Sequence, residues 1–259
     1  MSHANDQAVA FKALHRPGNP LVLANVWDTL SAQTVAALPS CQALATSSAA
    51  VARVNGTTDN DLTINVSLRA VKDIAAVAKA FDKPLTVDIQ DAYGTQLEDA
   101  ISALIELGAS GANIEDCDKD AQQMIPKATA ASRIERAFAT AKACNVPDFV
   151  INARCDTLAH GGSFEDALQR GRAYLAAGAA CIFVIPGPQQ KLGRREVERM
   201  VKAFNGRANV GWHPAGPLSV KDITELGAVR ISVGPLMQVL TLKALSTEAD
   251  RLMASNSRL

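Results

Sequence analysis

The sequence predicts a (β/α)8 barrel (TIM barrel), an α/β fold of eight parallel strands ringed by helices. Three observations carry this. Short apolar runs alternate strictly with amphipathic helical stretches, the pattern of a parallel sheet covered by helices. Eight such runs occur, which favours a closed barrel over an open, doubly wound sheet. The 259 residues match the ~250 typical of one such barrel. No linker, low-complexity tract or composition break divides the chain. Residues 1–259 are therefore expected to form one domain, with a short N-terminal segment and a C-terminal helical tail.

The strands are expected at 21–27, 43–48, 85–90, 111–116, 149–155, 181–186, 209–214 and 229–234. Each is a short, largely apolar run, as strands buried on both faces require. Helical spacing marks 68–81, 97–107, 132–144, 164–177, 194–204 and 220–226. Capping boxes are expected to open three of them: Thr95 with Glu98, Ser163 with Asp166, and Ser219 with Asp222. Asp28 reads as the N-cap of a helix after the first strand. Gly108, Gly178 and Gly227 each stand where a helix must stop before a strand. The phrase Glu-Leu-Gly-Ala at 106–109 recurs at 225–228, one supersecondary unit used twice. The last segment, 235–253, is long and could pack on its own barrel or cross to a neighbour.

Composition narrows the function. Hydrophobic residues make up 48% of the chain, enough for a large core and too many for disorder. Lys plus Arg and Asp plus Glu are 26 each. This leaves no electrostatic footprint for nucleic acid and no basic surface for membranes. No apolar run reaches the ~18 residues of a membrane span, and the first residues lack the pattern of a signal peptide. Five scattered cysteines without a CxxC pair point to a reduced, cytoplasmic chain. There is no GxGxxG or GxxxxGK[ST] loop for nucleotides, no HExxH or Cys/His cluster for zinc, and no GxSxG elbow. Lys83 precedes its strand, the wrong end for a Schiff base.

Chemistry collects where strands end. Leu85-Thr86-Val87-Asp88-Ile89-Gln90-Asp91-Ala92-Tyr93-Gly94 acquires polar groups only as it closes. Asn113-Ile114-Glu115-Asp116 and Asn152-Ala153-Arg154-Cys155-Asp156 repeat the design. Unpaired charges are costly to bury, and the C-terminal ends of barrel strands are where such folds place reaction centres. Strand alternation puts Asp88 and Gln90 on one face, with Glu115 joining from the next strand. Hard oxygens of this kind suit magnesium, and Arg154 could clamp a substrate carboxylate. The same groups could also close the barrel mouth as an ion-pair network. Thr46-Ser47-Ser48 offers hydroxyls and amides to an anionic oxygen, or simply starts a helix. Trp27 reads as core or pocket wall, and His213 as a group at a strand end that could face the pocket.

Together these segments resemble the isocitrate lyase/phosphoenolpyruvate mutase superfamily. The matching stretches are Asn-Val-Trp-Asp at 25–28, Ala-Thr-Ser-Ser at 45–48, Val-Asp-Ile-Gln-Asp-Ala-Tyr-Gly at 87–94, Asn-Ile-Glu-Asp at 113–116, Asn-Ala-Arg-Cys-Asp at 152–156 and Arg-Ile-Ser-Val-Gly-Pro at 230–235. The resemblance implies that Asp88 holds Mg2+ (or Mn2+) directly, with Asp59, Gln90 and Glu115 around its waters. It implies that Ser47, Ser48, Trp27, Tyr93, Gly94 and Arg154 meet substrate. Arg154, Glu115 and Lys127 become the catalytic candidates, with the loop from Cys117 to Ser132 closing over the site.

The departures are equally specific. Gln90 replaces a second acid. The 117–132 loop lacks the Lys-Lys-Cys-Gly-His motif of the lyases. Thr129 stands where the mutases carry asparagine two residues after their lysine, and Ile185 where they carry histidine. The expectation is a magnesium-dependent lyase, hydrolase or decarboxylase for a small 2-oxo or 2-hydroxy carboxylic acid, working through a pyruvate-enolate-like intermediate. C–P bond chemistry (a phosphonomutase or phosphonopyruvate hydrolase) and a non-catalytic oxoacid-binding protein stay open as alternatives. A homo-oligomer, dimer or tetramer, is expected.

Overall fold

The computed structural model describes residues 3–188 and 190–256. Its frame is a parallel sheet that closes on itself. The strands are β1 (Leu21–Leu23), β2 (Asn25–Val26), β3 (Leu44–Thr46), β4 (Leu85–Asp88), β5 (Gly111–Glu115), β6 (Cys117–Asp118), β7 (Gln123–Met124), β8 (Val150–Cys155), β9 (Cys181–Val184), β10 (Ala208–Gly211) and β11 (Arg230–Ser232). In space the order is β1-β11-β10-β9-β8-β5-β4-β3-β2. The two edges, β1 and β2, are consecutive pieces of one strand: Leu21 pairs with Arg230, and Asn25 with Ala45. The result is a (β/α)8 barrel. Each predicted strand lies at its expected place, shorter by one to three residues. The antiparallel pair β6–β7 stands outside the barrel as a small hairpin.

The helices are α1 (His3–Ala13), α2 (Thr29–Ala36), α3 (Ser48–Val54), α4 (Ile64–Ala80), α5 (Leu97–Glu106), α6 (Lys127–Ala143), α7 (Phe164–Ala176), α8 (Arg194–Ala203), α9 (Val220–Glu225) and α10 (Leu236–Asn256). Asp28 caps α2 through Ser31 N, with the reciprocal bond in place. Ser219 and Asp222 form the expected box at α9, whereas at α7 Ser163 accepts from Asp166 N without the reciprocal bond. Thr95 does not cap α5, because a 3-10 turn over Gly94–Gln96 precedes that helix. Gly108, Gly178 and Gly227 take φ of 93°, 107° and 90°, the left-handed stop that side chains resist.

The N-terminal end of the barrel is sealed. Phe11 of α1 is fully buried against Leu21, Leu23, Ala43, Ala45 and Val150. Gly111 makes room for this plug: a Cβ there would meet Val150 O at 2.5 Å and the Phe11 ring at 3.0 Å. With this end plugged, the barrel opens at its C-terminal end. Among the described residues, no helix is long and apolar enough to cross a membrane.

Candidate active site

A cavity of about 720 Å³ opens at the C-terminal end of the strands. One side carries Ser47, Ser48, Asp59, Asp88, Asn113, Asn152 and Arg154. The other is largely apolar, with Phe183, Ile185, Leu192 and Trp212, and Arg230 lies deep within it. His213 sits exposed at its mouth.

Asp88 is fixed from three sides. Ser48 N and Oγ donate to its Oδ2 at 3.0 and 2.9 Å, and Asn113 Nδ2 donates to Oδ1 at 2.8 Å. Its own N–H donates to Thr46 Oγ1 at 2.9 Å. The Ser48 donors expected to meet an anionic substrate oxygen are thus committed to Asp88. Asn113 is set in turn by a buried amide chain across the barrel. Asn152 Nδ2 donates to Asn113 Oδ1, and Asn209 Nδ2 to Asn152 Oδ1 and Ser232 Oγ. Buried polar groups must find such partners, and together they give Asp88 one orientation.

Asp59 faces the same cavity from the loop between α3 and α4. Burial, and then the Asp88 charge, push its carboxyl above the usual range. Lys119 of the hairpin steadies that loop by donating to Asn60 O at 3.0 Å. Gln90 is placed otherwise than expected. β4 ends at Asp88, and Gln90 turns left-handed at φ 54°, so the two do not share a strand face. Its Nε2 donates to Asp59 O at 2.6 Å and to Asp59 Oδ1 at 3.2 Å. It stands behind Asp59 and does not line the cavity.

Arg154 is held between two acids. Its Nη1 lies 2.6 Å from Glu115 Oε2, while Nε and Nη2 reach Asp156 Oδ1 at 3.0 and 2.7 Å. Glu115 therefore backs Arg154 and is absent from the cavity lining. Burial pushes its carboxyl well above the ordinary range, against the pull of Arg154. Asp116 anchors this end: its Oδ1 accepts from Asp156 N, and its Oδ2 from Tyr174 and Arg170.

Four expected residues lie elsewhere. Trp27 packs against Val51, Ala52 and Leu62. Tyr93 is buried in the core, and Arg133 of α6 stitches the turn beneath it by donating to Asp91 O and Gly94 O. Neither Tyr93 nor Gly94 lines the cavity. Lys127 starts α6, five residues earlier than the periodicity suggested, and its Nζ stands 3.4 Å from Gln169 Oε1 among the outer helices. The 117–132 segment is a hairpin followed by a helix.

The family model of phosphoenolpyruvate phosphomutase matches residues 11–253. The chain belongs to this family. Its relatives include an uncharacterized protein of Mycobacterium tuberculosis (strain CDC 1551 / Oshkosh), 30% identical over 87% of this chain and 82% of that one. A 2-methylisocitrate lyase of Escherichia coli (strain K12) is 30% identical over 68% of this chain and 61% of its own length. Among solved structures, a protein from Burkholderia cenocepacia J2315 superposes with TM-score 0.86 and 31% identity, over 96% of this chain and 99% of that one. Lyases and mutases of the phosphoenolpyruvate mutase/isocitrate lyase superfamily are among this chain's relatives and structural neighbours.

The residues present fit the divalent metal such family members use. Three hydrogen bonds occupy Asp88, and a carboxylate offers about four acceptor positions, so one remains open toward the cavity. Among the described residues no three His, Cys, Asp or Glu side chains gather into a cage. Two carboxylates completed by waters and substrate oxygens is an arrangement that magnesium accepts.

Proposed function

We propose that this chain is a magnesium-dependent lyase, hydrolase or decarboxylase for a small 2-oxo or 2-hydroxy carboxylic acid. The observation that carries this is the pairing of Asp88 and Asp59 on one cavity wall, with Arg154 beside them. Asp88, with Asp59 behind its waters, would hold Mg2+, or Mn2+ in its place. The bound metal would supply Lewis-acid polarisation of the substrate's C1 carboxylate and C2 oxygen.

The chain's own groups do the rest. Ser48 and Asn113 keep Asp88 in a single orientation, so little reorganisation is needed when a bond from C3 to its leaving substituent breaks in a 2-oxo acid and its electron pair passes to the C2 oxygen as an enolate. Arg154, already drawn to Glu115 and Asp156, turns the remaining N–H groups of its fork to that oxygen. Gln90 orients Asp59 in place of the second acid. Lys127 has a role only if α6 unwinds at its first turn when substrate enters. The large apolar wall, with Ile185 in it, favours a carbon skeleton over a phosphonate. The partner is thus a small carboxylate.

The chain would act as a homo-oligomer. Val22, on the outer face of β1, is 48% exposed, although parallel strands are normally covered on both faces. α10 extends away with Val239, Leu240, Leu242, Leu245, Leu252 and Met253 exposed. A second copy's α10 laid on the bare strand would answer both features. The functional reading is tested by thermal shift against a panel of small oxo- and hydroxy-acids, with and without magnesium. It expects at least one acid whose stabilisation requires the metal; a panel without any such acid overturns it.

A further inference from the structure

Arg230 differs from every other cation of the cavity. It opens β11 with its side chain inside the barrel and is 3% exposed. Its Nε donates to Ser232 Oγ at 3.2 Å, which brings the guanidinium up toward the cavity it lines. Its Nη1 is buried and has no hydrogen-bond partner. Arg154 has two carboxylates, whereas among the described residues no carboxylate lies within ion-pair distance of Arg230.

The neighbours do not balance this charge. Asn209, level with it on β10, leaves its Oδ1 unpartnered, but a neutral amide carries no countercharge. Asp88 is already tied to Ser48 and Asn113 and faces the proposed metal. His15, on the plugged side of the barrel, is kept neutral by burial and by Arg230 itself. An arginine stays protonated even when buried, and a buried charge without a partner is strongly destabilising. Such a cost persists in a folded chain where an arriving group removes it.

We propose that Arg230 is a second anion anchor at the base of the cavity, binding a carboxylate other than the one at the Asp88–Arg154 end. The substrate is then a dicarboxylate, and Arg230 selects it over a monocarboxylic acid of the same skeleton. This rests on the functional reading above for the first carboxylate. The anchor itself needs no metal.

The test is titration calorimetry with matched acids. Malate and 2-hydroxybutyrate differ in a terminal carboxylate against a methyl group, and are compared with magnesium present. Succinate and butyrate make the same comparison in metal-free protein. Wild-type protein is expected to bind each dicarboxylate about tenfold or more tighter than its partner, the effect of one or two charge-assisted hydrogen bonds. Arg230→Met should bring both ratios within about twofold while leaving 2-hydroxybutyrate binding nearly unchanged. A residue that only braces the barrel would weaken both acids together and keep the ratio. Arg230→Lys, which keeps the charge but loses the fork, should lower the ratios at least threefold and serves if the methionine variant does not fold. Equal binding of the matched acids by wild-type protein, or ratios that survive in the variants, overturns the anchor. If the magnesium arm shows no binding while succinate still depends on Arg230, the functional reading falls and the anchor stands.

Discussion

Asp88 and Gln90 show how two residues of one motif divide their work. Asp88 turns an open acceptor position to the cavity; Gln90 spends its donor on Asp59. Asp88→Ala should therefore abolish stabilisation by magnesium, which at a hundredfold excess over Kd is worth about 2.7 kcal/mol, or several degrees in a melt. Gln90→Glu should act in two directions. Without metal it sets a carboxylate against Asp59's carbonyl and carboxylate oxygens, and costs about 1–3 kcal/mol. With metal the added charge is compensated, so the magnesium-dependent shift should exceed that of wild type. A shift equal to or smaller than wild type would separate position 90 from the metal site. Asp88, Glu115 and Arg154 were legible in sequence because charge at the end of an apolar strand has few structural uses; Asp59, in a loop between helices, was reached only through the family resemblance. Gln90's placement was not, because a single left-handed residue ends the alternation that put it beside Asp88. Arg230 and the asparagine chain were not, because a polar residue inside a barrel strand looks the same whether it braces the core or faces a ligand.

At the scale of elements, eight strands and six helices could be read from periodicity, since burial on both faces or on one stripe leaves a regular trace. The misplacements arose where local geometry overrode the pattern. α6 begins at Lys127 because Pro126 and a run of small residues carry the helix back past the apolar stripe. α5 begins after a 3-10 turn that displaces the Thr95 box. Helix α10 was legible as a long segment, but its destination depends on a surface that the sequence does not order in space. Its exposed leucines carry a prediction: Leu242→Asp with Leu245→Asp should shift the light-scattering mass toward the monomer and lower the melting temperature, as Val22 and its surroundings lose their cover. A monomeric wild-type protein at working concentration would contradict the assembly.

The whole barrel should also report the state of its plugged end through pH. His15 packs edge-on against Phe11, its pKa lowered by burial and by Arg230 to about 4. The unfolded chain takes up this proton near pH 6.5, so the contribution is complete above that value and is lost as pH falls toward 4. The loss amounts to about 3 kcal/mol. Denaturant melts between pH 7 and 4 should show a steeper decline for wild type than for His15→Gln, which removes the titration. Parallel curves would mean that His15 protonates as freely in the fold as outside it.

The same closed end turns the large cavity to the opposite face of the barrel, and the central claim is that the Asp88 side of it turns over a 2-oxo or 2-hydroxy acid. The direct measurement is the rate of oxaloacetate consumption with magnesium, wild type against Asp88→Asn, each corrected for the rate with metal alone. Related oxo- and hydroxy-acids that show metal-dependent stabilisation are assayed in the same way. The account predicts a wild-type rate above the metal-only rate for at least one of these acids, lost in an Asp88→Asn protein that melts cooperatively. Wild-type rates equal to the metal-only rate for every such acid, or an undiminished Asp88→Asn enzyme, would contradict it.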